Sequence, residues 1–324
     1  MQVLVTGATG AVGPVVVEAL LAAGHQVRAL VRTAPPAGLL PAAVELVPGD
    51  ITEPATVQAA MNGCDGVVHM AALLHINDPA SALQADYERV NVTGTANVLA
   101  AAQAQGVARL VFFSTIAVYG HGHGATLRET TPPQPDTLYG RTKLAAEELV
   151  LAARRADGAA LGVVLRLAAV YGAHVKGNYQ RLLTALARGR FLPIGRGANR
   201  RTLVYDQDVA AATLLALREP TAAGRVYNVT DGRIHTLQEI VATICQALGR
   251  RPPRFYLPIA PVRLLVALVE DGLALLGRST PVSRATLAKY LEEMVVDGSR
   301  LQQELGFTPR YTLRAGWQAI VHQQ

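Results

Sequence analysis

The stretch VLVTGATGAVG, residues 3–13, joins a short apolar segment to a glycine-rich turn. Residues 3–6 predict a buried strand, and residues 14–23 predict a helix that ends at Gly24. A strand, a glycine turn and a helix in this order are typical of a parallel sheet. The alternation continues, with strands predicted at 27–31, 44–47, 66–69, 109–114 and 163–167 and helices after Pro54, at 82–105 and at 139–155. The sequence therefore predicts an α/β fold with a doubly wound parallel sheet.

The second half of the chain has a different rhythm, starting at about residue 171. Glycine and proline turns separate helices predicted near 178–188, 206–218, 236–248 and 260–276. A strand near 203–206 or 226–229 either returns to the first sheet or starts a smaller one. We therefore expect two domains, a dinucleotide-binding domain at 1–171 and a smaller C-terminal lobe, mainly for substrate binding, at 172–324.

Composition limits the kind of protein. The 324 residues include 30 basic and 24 acidic ones, a net charge of +6. The basic residues are scattered along the sequence, which argues against nucleic acid and fits small phosphorylated ligands. Residues 259–276 are the most apolar stretch, but Arg263, Glu270 and Asp271 interrupt it. We expect an amphipathic helix packed on the protein or on a partner there, rather than a membrane span.

The cysteines and the start of the chain bear on its location. Cys64 and Cys245 are far apart and fit no ligand or redox spacing, so we expect no metal and a reducing cytoplasm. Because a strand-like run begins at Gln2, we expect no signal peptide.

The glycine turn carries the first functional prediction. Gly7 permits the tight turn, Gly10 lets the backbone approach a pyrophosphate, and Gly13 lets the helix pack closely on the sheet. The pyrophosphate would then lie at the positive end of the helix. Thr9 and Val12 complete the expected cofactor contacts of this turn.

The ends of the next strands refine the dinucleotide site. The second strand ends at Arg32 without the acidic residue that usually binds the ribose hydroxyls of NAD, so NADP is slightly favoured over NAD. Arg28 lies four residues before the end of that strand and is a weaker candidate. Asp50 and Ile51 follow the third strand and would lie near the adenine. Further cofactor contacts are expected from the small residues after the fourth strand, Met70, Ala71 and Ala72.

Tyr139 and Lys143 are one helical turn apart and carry the second functional prediction. A free tyrosine has a pKa of about 10, and a nearby ammonium or a cationic nicotinamide ring favours the phenolate. This arrangement suits general acid/base catalysis near neutral pH. The fifth strand ends at Ser114 and Thr115, where a hydroxyl is expected to bind the reacting oxygen; Thr115 is the first choice and Ser114 the alternative.

These motifs together resemble the extended short-chain dehydrogenase/reductase family, in its NAD-dependent epimerase/dehydratase branch. The resemblance covers nearly the whole chain and implies a Rossmann domain with a smaller substrate lobe, Tyr139 as acid/base, Lys143 as its partner and Thr115 as the hydroxyl that orients the substrate. It also implies a homodimer through helices near 82–105 and 139–155. The matching segments are TGATGAVG at 6–13, Asp50-Ile51, His69 to Ala72, Ser114-Thr115, Val118-Tyr119-Gly120, Tyr139 with Lys143, Arg166, Val170-Tyr171-Gly172 and RTLVYDQDV at 201–209.

The resemblance also narrows the reaction. Dehydratases of the family carry an Asp-Glu pair directly after the active-site threonine, where this chain has Ile116-Ala117, so elimination of water is disfavoured. Arg201 and Asn178 lie in segments similar to those that hold the diphosphate of a nucleotide sugar, with UDP-sugars as the expected class. A structural ion pair from Arg201 to Asp206 or Asp208 is the alternative for that arginine.

Three functions remain open from the sequence. The first is an NAD(P)-dependent 4-epimerase or 4-keto reductase of a nucleotide-linked sugar, which moves a hydride at C4 while Tyr139 exchanges the proton. The second is a reductase or dehydrogenase of a steroid-like or flavonoid-like secondary alcohol, slightly favoured by the apolar region at 255–276. The third is a protein without catalysis that senses a cofactor or acts as a scaffold; such chains usually lack the tyrosine–lysine pair.

Overall fold

A seven-stranded parallel sheet forms the centre of the computed structural model, which describes residues 1–74, 83–122, 124–175, 177–275 and 283–322. The strands are β1 (Gln2–Thr6), β2 (Gln26–Val31), β3 (Glu45–Pro48), β4 (Gly66–His69), β5 (Arg109–Thr115), β6 (Thr126–Leu127), β7 (Gly162–Leu167), β8 (Ala169–Tyr171), β9 (Arg200–Arg201), β10 (Leu203–Tyr205), β11 (Val226–Val229), β12 (His235–Thr236) and β13 (Val295–Val296). The α-helices are α1 (Gly13–Ala22), α2 (Pro54–Met61), α3 (Gln84–Tyr87), α4 (Gly94–Ala104), α5 (Leu138–Ala152), α6 (Asn178–Ala187), α7 (Asp206–Arg218), α8 (Leu237–Ala247), α9 (Ile259–Leu275), α10 (Arg284–Leu291), α11 (Ser299–Leu305) and α12 (Leu313–His322).

The strand order of the main sheet is β11-β7-β5-β4-β1-β2-β3, with every neighbouring pair parallel. This is the Rossmann order with one added strand, so the predicted fold class is confirmed. The chain reverses direction across the sheet between β1 and β4, which leaves a crevice at their carboxyl ends. The strand predicted at 226–229 is β11, and it joins the main sheet beside β7.

Both faces of the sheet are buried, because side chains of each strand alternate between two cores. In β1, Val3 and Val5 belong to the core that includes α1 and α7, whereas Leu4 belongs to the core that includes α2, α4 and α5. Helices on both faces are what an all-parallel sheet requires.

The helix predicted at 82–105 is interrupted, and its first residue lies outside the described part of the chain. A π-helical segment, Glu88–Thr93, separates α3 from α4. The buried Asn91 side chain lies in that segment and bonds both backbone groups of Leu73, at 2.7 and 3.1 Å. Wide turns of this kind are frequent at functional sites, and no feature of the helical pattern predicted it.

The C-terminal part of the chain adds a third core. Tyr171 and Trp317 stack there with ring centroids 5.0 Å apart, and α6, α8 and α12 surround them. Two-stranded ladders pair β8 with β10, β9 with β12 and β6 with β13. The helix predicted at 260–276 is α9, although residue 276 lies outside the described residues. None of the helices in the described part of the chain combines the length and apolarity needed to cross a bilayer.

Candidate active site

The glycine turn lies where β1 and β4 diverge, and its geometry fits a dinucleotide. Gly7 has φ of +77°, and a Cβ there would lie 2.7 Å from the backbone nitrogen of Ala71. A Cβ at Gly13 would lie 2.1 Å from the Ala8 carbonyl oxygen, so only glycine allows α1 to begin so close to the turn. Val12, which precedes α1, makes no side-chain cap. The positive end of α1 is therefore available to an anion such as a pyrophosphate.

Gly10 and Thr9 face outward at the same turn. Both are exposed, and a Cβ on Gly10 would meet only the Gly7 carbonyl oxygen, at 3.1 Å. The space that a side chain would take at this position is thus open, as close approach of a ligand to the backbone requires. Together with the uncapped α1, this space shows that the turn fits the group that the sequence predicts.

The arginines of β2 separate into two roles. Arg28 is held inside the protein by Glu45, 2.9 Å from its Nε, and by the carbonyl oxygens of Ala60 and Asn62. Arg32 is exposed, and no hydrogen bond or ion pair joins it to the described residues. Of the two, Arg32 is the one that can contact a bound ligand.

The segments after β3 and β4 are fixed by internal bonds. The Asp50 carboxylate accepts the backbone N–H and the hydroxyl of Thr52, both at 2.9 Å, which orders the loop. Ile51 is buried against Gly94, where a Cβ would lie 2.7 Å from its Cδ1 atom. The Thr6 carbonyl oxygen accepts the Met70 N–H, and the Thr6 hydroxyl oxygen accepts the Ala71 N–H. Ala72 follows in the same partly buried segment.

A chain of hydrogen bonds runs under the crevice through His69. The Thr95 hydroxyl donates to the Asn91 carbonyl at 2.7 Å, so it accepts from His69 Nε2 at 3.0 Å. The Thr6 hydroxyl lies 2.6 Å from His69 Nδ1 and donates to it. Burial and the charge of Lys143 lower the pKa of His69 to about 3, so this histidine stays neutral and holds β4 to the π-helical segment.

The two hydroxyls at the end of β5 point to different surroundings. Ser114 is buried and bonds the carboxylate of Glu147 on α5. Thr115 is only partly buried, and its hydroxyl caps the following turn by accepting from the Ala117 N–H at 3.2 Å. Because successive strand residues face opposite sides, only one of them can face the crevice. The contact between Ser114 and Glu147 leaves Thr115 as the available hydroxyl.

Tyr139 is brought to this strand end by the first turn of α5. The Thr137 hydroxyl caps α5 by accepting from the Gly140 N–H at 3.0 Å. A Cβ on Gly140 would lie 2.8 Å from the Ala117 carbonyl oxygen, so glycine lets α5 approach the turn that follows Thr115. The helix therefore brings the segment that holds Tyr139 close to the turn that follows Thr115.

Lys143 lies one turn further along α5 and is almost fully buried, with 2% of its surface exposed. Its Nζ atom lies 3.9 Å from the centroid of the Phe112 ring. Burial lowers the pKa of Lys143 to about 7, although the Glu147 carboxylate raises it. Burial also raises the pKa of Tyr139 to about 12, and the Tyr87 phenol adds to this effect.

These pKa values differ from the sequence-based expectation of a phenolate. The groups of the protein keep Tyr139 protonated near neutral pH, because burial and the Tyr87 phenol both raise its pKa. The form that the protein itself favours is the phenol, a general acid that can protonate a carbonyl oxygen. A phenolate needs a further positive charge close to the ring.

A buried network supports the catalytic segment, and the sequence reasoning missed it. Arg166 on β7 donates to both carboxylate oxygens of Glu147, at distances of 2.6 to 3.1 Å. The guanidinium lies 4.8 Å from the Tyr119 ring centroid, and the Tyr119 hydroxyl donates to Asn228 at 2.8 Å. The position of Glu147 four residues after Lys143, on the same helix face, was the available signal.

The expected substrate contacts lie in the C-terminal half. Asn178 is the first residue of α6 and is exposed. Arg201 donates through Nη2 to the carbonyl oxygens of Lys289 and Tyr290, at 3.1 and 2.8 Å. The Tyr179 hydroxyl interacts with the Arg201 side chain; burial raises the pKa of Tyr179, and this arginine partly offsets the rise.

The alternative role for Arg201, an ion pair with Asp206 or Asp208, is not found among the described residues. The Asp208 carboxylate accepts the backbone N–H groups of Arg310 and Tyr311 instead. The side chains of Arg201 and Tyr179 interact with each other, and no carboxylate among the described residues pairs with the guanidinium, which is a reason to place an anionic ligand there.

The site combines a glycine turn at the switch point of a Rossmann sheet with a Tyr-Lys pair on α5, which approaches the end of β5. This combination is typical of a dinucleotide-dependent oxidoreductase of the short-chain dehydrogenase/reductase type. The chain belongs to the NAD dependent epimerase/dehydratase family, whose model matches residues 3–230. The family and the enzyme class predicted from the motifs are thus confirmed.

Relatives within the family act on different substrates. The chain is 30% identical to an N-acetyl-alpha-D-glucosaminyl-diphospho-ditrans,octacis-undecaprenol 4-epimerase of Escherichia coli O157:H7, over 83% of this chain and 80% of that one. It is also 30% identical to a 3 beta-hydroxysteroid dehydrogenase/Delta 5→4-isomerase of Mycobacterium tuberculosis, over 96% and 87% of the two chains. Among solved structures, UDP-glucose 4-epimerase of Thermus thermophilus in complex with NAD superposes with a TM-score of 0.76 at 27% identity, over 99% and 98%.

Proposed function

We propose that the protein is an NAD(P)-dependent oxidoreductase acting at C4 of a nucleotide-linked sugar, as a 4-epimerase or a 4-keto reductase. The observation that carries the proposal is the approach of α5, which holds Tyr139 and Lys143, to the turn that follows Thr115, an approach that Gly140 permits. The glycine turn opens at the carboxyl end of β1, in the same sheet and at the same edge. Parallel α/β sheets bind their ligands at that edge.

Each residue of the group has a role that its surroundings suit. A bound dinucleotide supplies a hydride acceptor or donor for the sugar carbon. Thr115 donates a hydrogen bond to the oxygen on C4, and Tyr139 exchanges a proton with that oxygen. Since burial raises the pKa of Tyr139 to about 12, the phenol is the form that meets a 4-keto oxygen and can donate a proton to it. Lys143 contributes the positive charge that steadies the phenolate left behind.

A nucleotide sugar is the substrate class that Arg201 supports. Its guanidinium has no carboxylate partner among the described residues and, with the Tyr179 hydroxyl beside it, forms a polar pair suited to a diphosphate. The epimerases among the relatives act, by their names, on sugars linked through a diphosphate. The C-terminal lobe, mainly residues 172–324, would hold this part of the substrate, with Asn178 as a further contact.

A steroid-like or flavonoid-like secondary alcohol is the second candidate substrate. The apolar side chains of α9 and the steroid dehydrogenase relative favour it. The third function, a protein without catalysis, is disfavoured because Tyr139 and Lys143 are both present and grouped.

The cofactor and the assembly are further parts of the proposal. Exposed Arg32 can pair with a 2′-phosphate, which favours NADP, whereas the solved relative holds NAD. Replacing Arg32 by Ala should weaken NADP binding about tenfold or more and leave NAD binding unchanged. We also propose a cytoplasmic homodimer that associates through α4 and α5, which sedimentation velocity can test.

The deciding experiment compares substrates and arginine variants. Mass spectrometry of the dinucleotide released on gentle denaturation comes first. NAD retained through purification would indicate an epimerase. An empty site that fills only when NADPH is added would indicate a reductase. UDP-glucose, UDP-N-acetylglucosamine, their 4-keto forms and a 3β-hydroxysteroid are then assayed. Arg201→Gln should raise KM for the nucleotide sugar at least tenfold. Its neighbour Arg200→Gln is the control, because Arg200 pairs with Glu293 at 3.1 Å.

Turnover of the steroid alone, unaffected by Arg201→Gln, would replace the sugar proposal by the second candidate. Absence of turnover with every substrate, while dinucleotide still binds, would favour a protein without catalysis.

A further inference from the structure

Helix α9 exposes an apolar face for which the main fold gives no reason. Leu264, Leu265 and Leu268 are 60–64% exposed, whereas Val266 on the opposite side is buried. The exposed residues recur at the i, i+4 spacing of one helix face. Clustered exposed leucines mark an interaction surface rather than ordinary scatter.

A second segment extends this face. Gly195 donates to the Leu257 carbonyl and Leu257 donates to the Pro193 carbonyl, both at 2.8 Å, so residues 193–195 lie beside the start of α9. This pairing places Phe255, which is 82% exposed, near the exposed Leu192. The apolar surface is therefore built by two stretches that are far apart in the sequence.

The two stretches that carry the apolar side chains are also rich in arginine. Residues 188–196 and 250–269 contain seven arginines and no acidic residue, while the basic excess of the whole chain is six. The net positive charge of the protein is thus concentrated on these two stretches. Along the sequence alone, the basic residues look scattered. They meet in space: Arg196 lies 5.9 Å from the Tyr256 ring centroid, and a Cβ on Gly189 would lie 3.6 Å from Arg250 Nη1.

We call the surface formed by residues 188–196 and 250–269 the basic–apolar face. At its acidic boundary Glu270 and Asp271 share one cation, Arg284, which reduces their negative charge. Exposed leucines and aromatic rings among arginines are the composition of a helix that lies in the interface of an anionic bilayer. With 17 residues, α9 is about 25 Å long and can lie flat there.

We propose that the basic–apolar face docks the protein on the surface of an anionic lipid bilayer. The leucines and Phe255 enter the boundary between headgroups and acyl chains, and the arginines contact the lipid phosphates. A second copy of the chain fits less well, because a two-fold contact would set arginines against arginines. The docking does not depend on the reaction proposed above, and its test reads binding rather than turnover.

The test is co-sedimentation of the full-length protein with vesicles of phosphatidylcholine, with or without phosphatidylglycerol. We expect binding to the anionic vesicles, weak binding to neutral ones, and release at high salt. Arg251→Gln/Arg254→Gln should weaken binding about tenfold or more, since each arginine near the surface contributes about fivefold. Leu264→Glu/Leu268→Glu should weaken it comparably.

Matched controls come from exposed residues elsewhere. Arg225→Gln/Arg233→Gln and Leu46→Glu make the same chemical changes outside the face and should leave vesicle binding unchanged. Since all of these side chains are exposed, thermal melts should show that every variant folds.

Three outcomes would overturn the proposal. They are no binding of the wild-type protein to anionic vesicles, equal losses in the controls, or a lower oligomeric state of Leu264→Glu/Leu268→Glu by sedimentation velocity. The last result would assign the face to self-association.

Discussion

The ion pair between Glu147 and Arg166 lies directly behind the catalytic segment and is the sharpest test of how that segment is held. The two side chains are 1% and 5% exposed and are joined by three N–H···O contacts. Glu147→Gln leaves the Arg166 charge buried without its counter-charge. Breaking one side of a buried pair costs about 3–5 kcal/mol, so we expect that loss in the free energy of unfolding.

Urea denaturation measures this loss, followed by the fluorescence of Trp317, the single and buried tryptophan. Asp86→Asn is the control, because its pair with Arg89 at 2.9 Å is about half exposed and should contribute less than about 1 kcal/mol. The double variant Glu147→Leu/Arg166→Met removes both charges, and we expect it to be more stable than Glu147→Gln.

A Glu147→Gln variant as stable as Asp86→Asn would refute the reasoning. A double variant less stable than the single one would do so as well, because the cost would then lie in lost packing rather than in an unpaired charge.

Two further predictions concern other positions. Burial raises the pKa of Asp206 to about 6. In the folded protein this carboxyl therefore keeps its proton up to about pH 6, whereas in the unfolded chain it loses the proton near pH 4. Stability is then lost as pH rises from about 4 to about 6, and Asp206→Asn should be about 2–3 kcal/mol more stable than wild type at pH 7.5 but not at pH 4. Thermal melts at both pH values check this, and a destabilised variant at pH 7.5 would contradict it. Gly140→Ala sets a Cβ 2.8 Å from the Ala117 carbonyl oxygen and should move α5 away from Thr115. We expect kcat to fall about tenfold or more while circular dichroism shows a folded protein. An unchanged kcat would contradict the close approach.

Local patterns in the sequence were sufficient for much of the fold and of the candidate site. The strand before Gly7 and the glycine spacing are set within a few residues, and so is the pairing of Tyr139 with Lys143 along one helix. The choice between Ser114 and Thr115 was left open, although strand alternation already implies that only one of them faces the crevice. What decided it was Glu147, a contact from another element.

Contacts between distant parts of the chain were beyond sequence reasoning. The wide turn at Glu88–Thr93 depends on Asn91 reaching the backbone of Leu73, and no helical periodicity encodes that contact. The concentration of arginines depends on residues 193–195 pairing with Leu257. Burial raises the pKa of Tyr139 in the protein alone, and the depth of burial becomes known only from the packing.

The most direct test of the central claim is the single-turnover rate of Tyr139→Phe, followed by the absorbance of the reduced dinucleotide, with dinucleotide affinity measured on the same sample. We predict a rate at least about a hundredfold lower than wild type, since general acid/base groups contribute about 10²–10⁴. The dinucleotide Kd should stay within about threefold, because the glycine turn carries that binding. Tyr311→Phe should keep the wild-type rate as the matched control. A Tyr139→Phe rate within about tenfold of wild type would contradict the assignment of Tyr139 as the acid/base group.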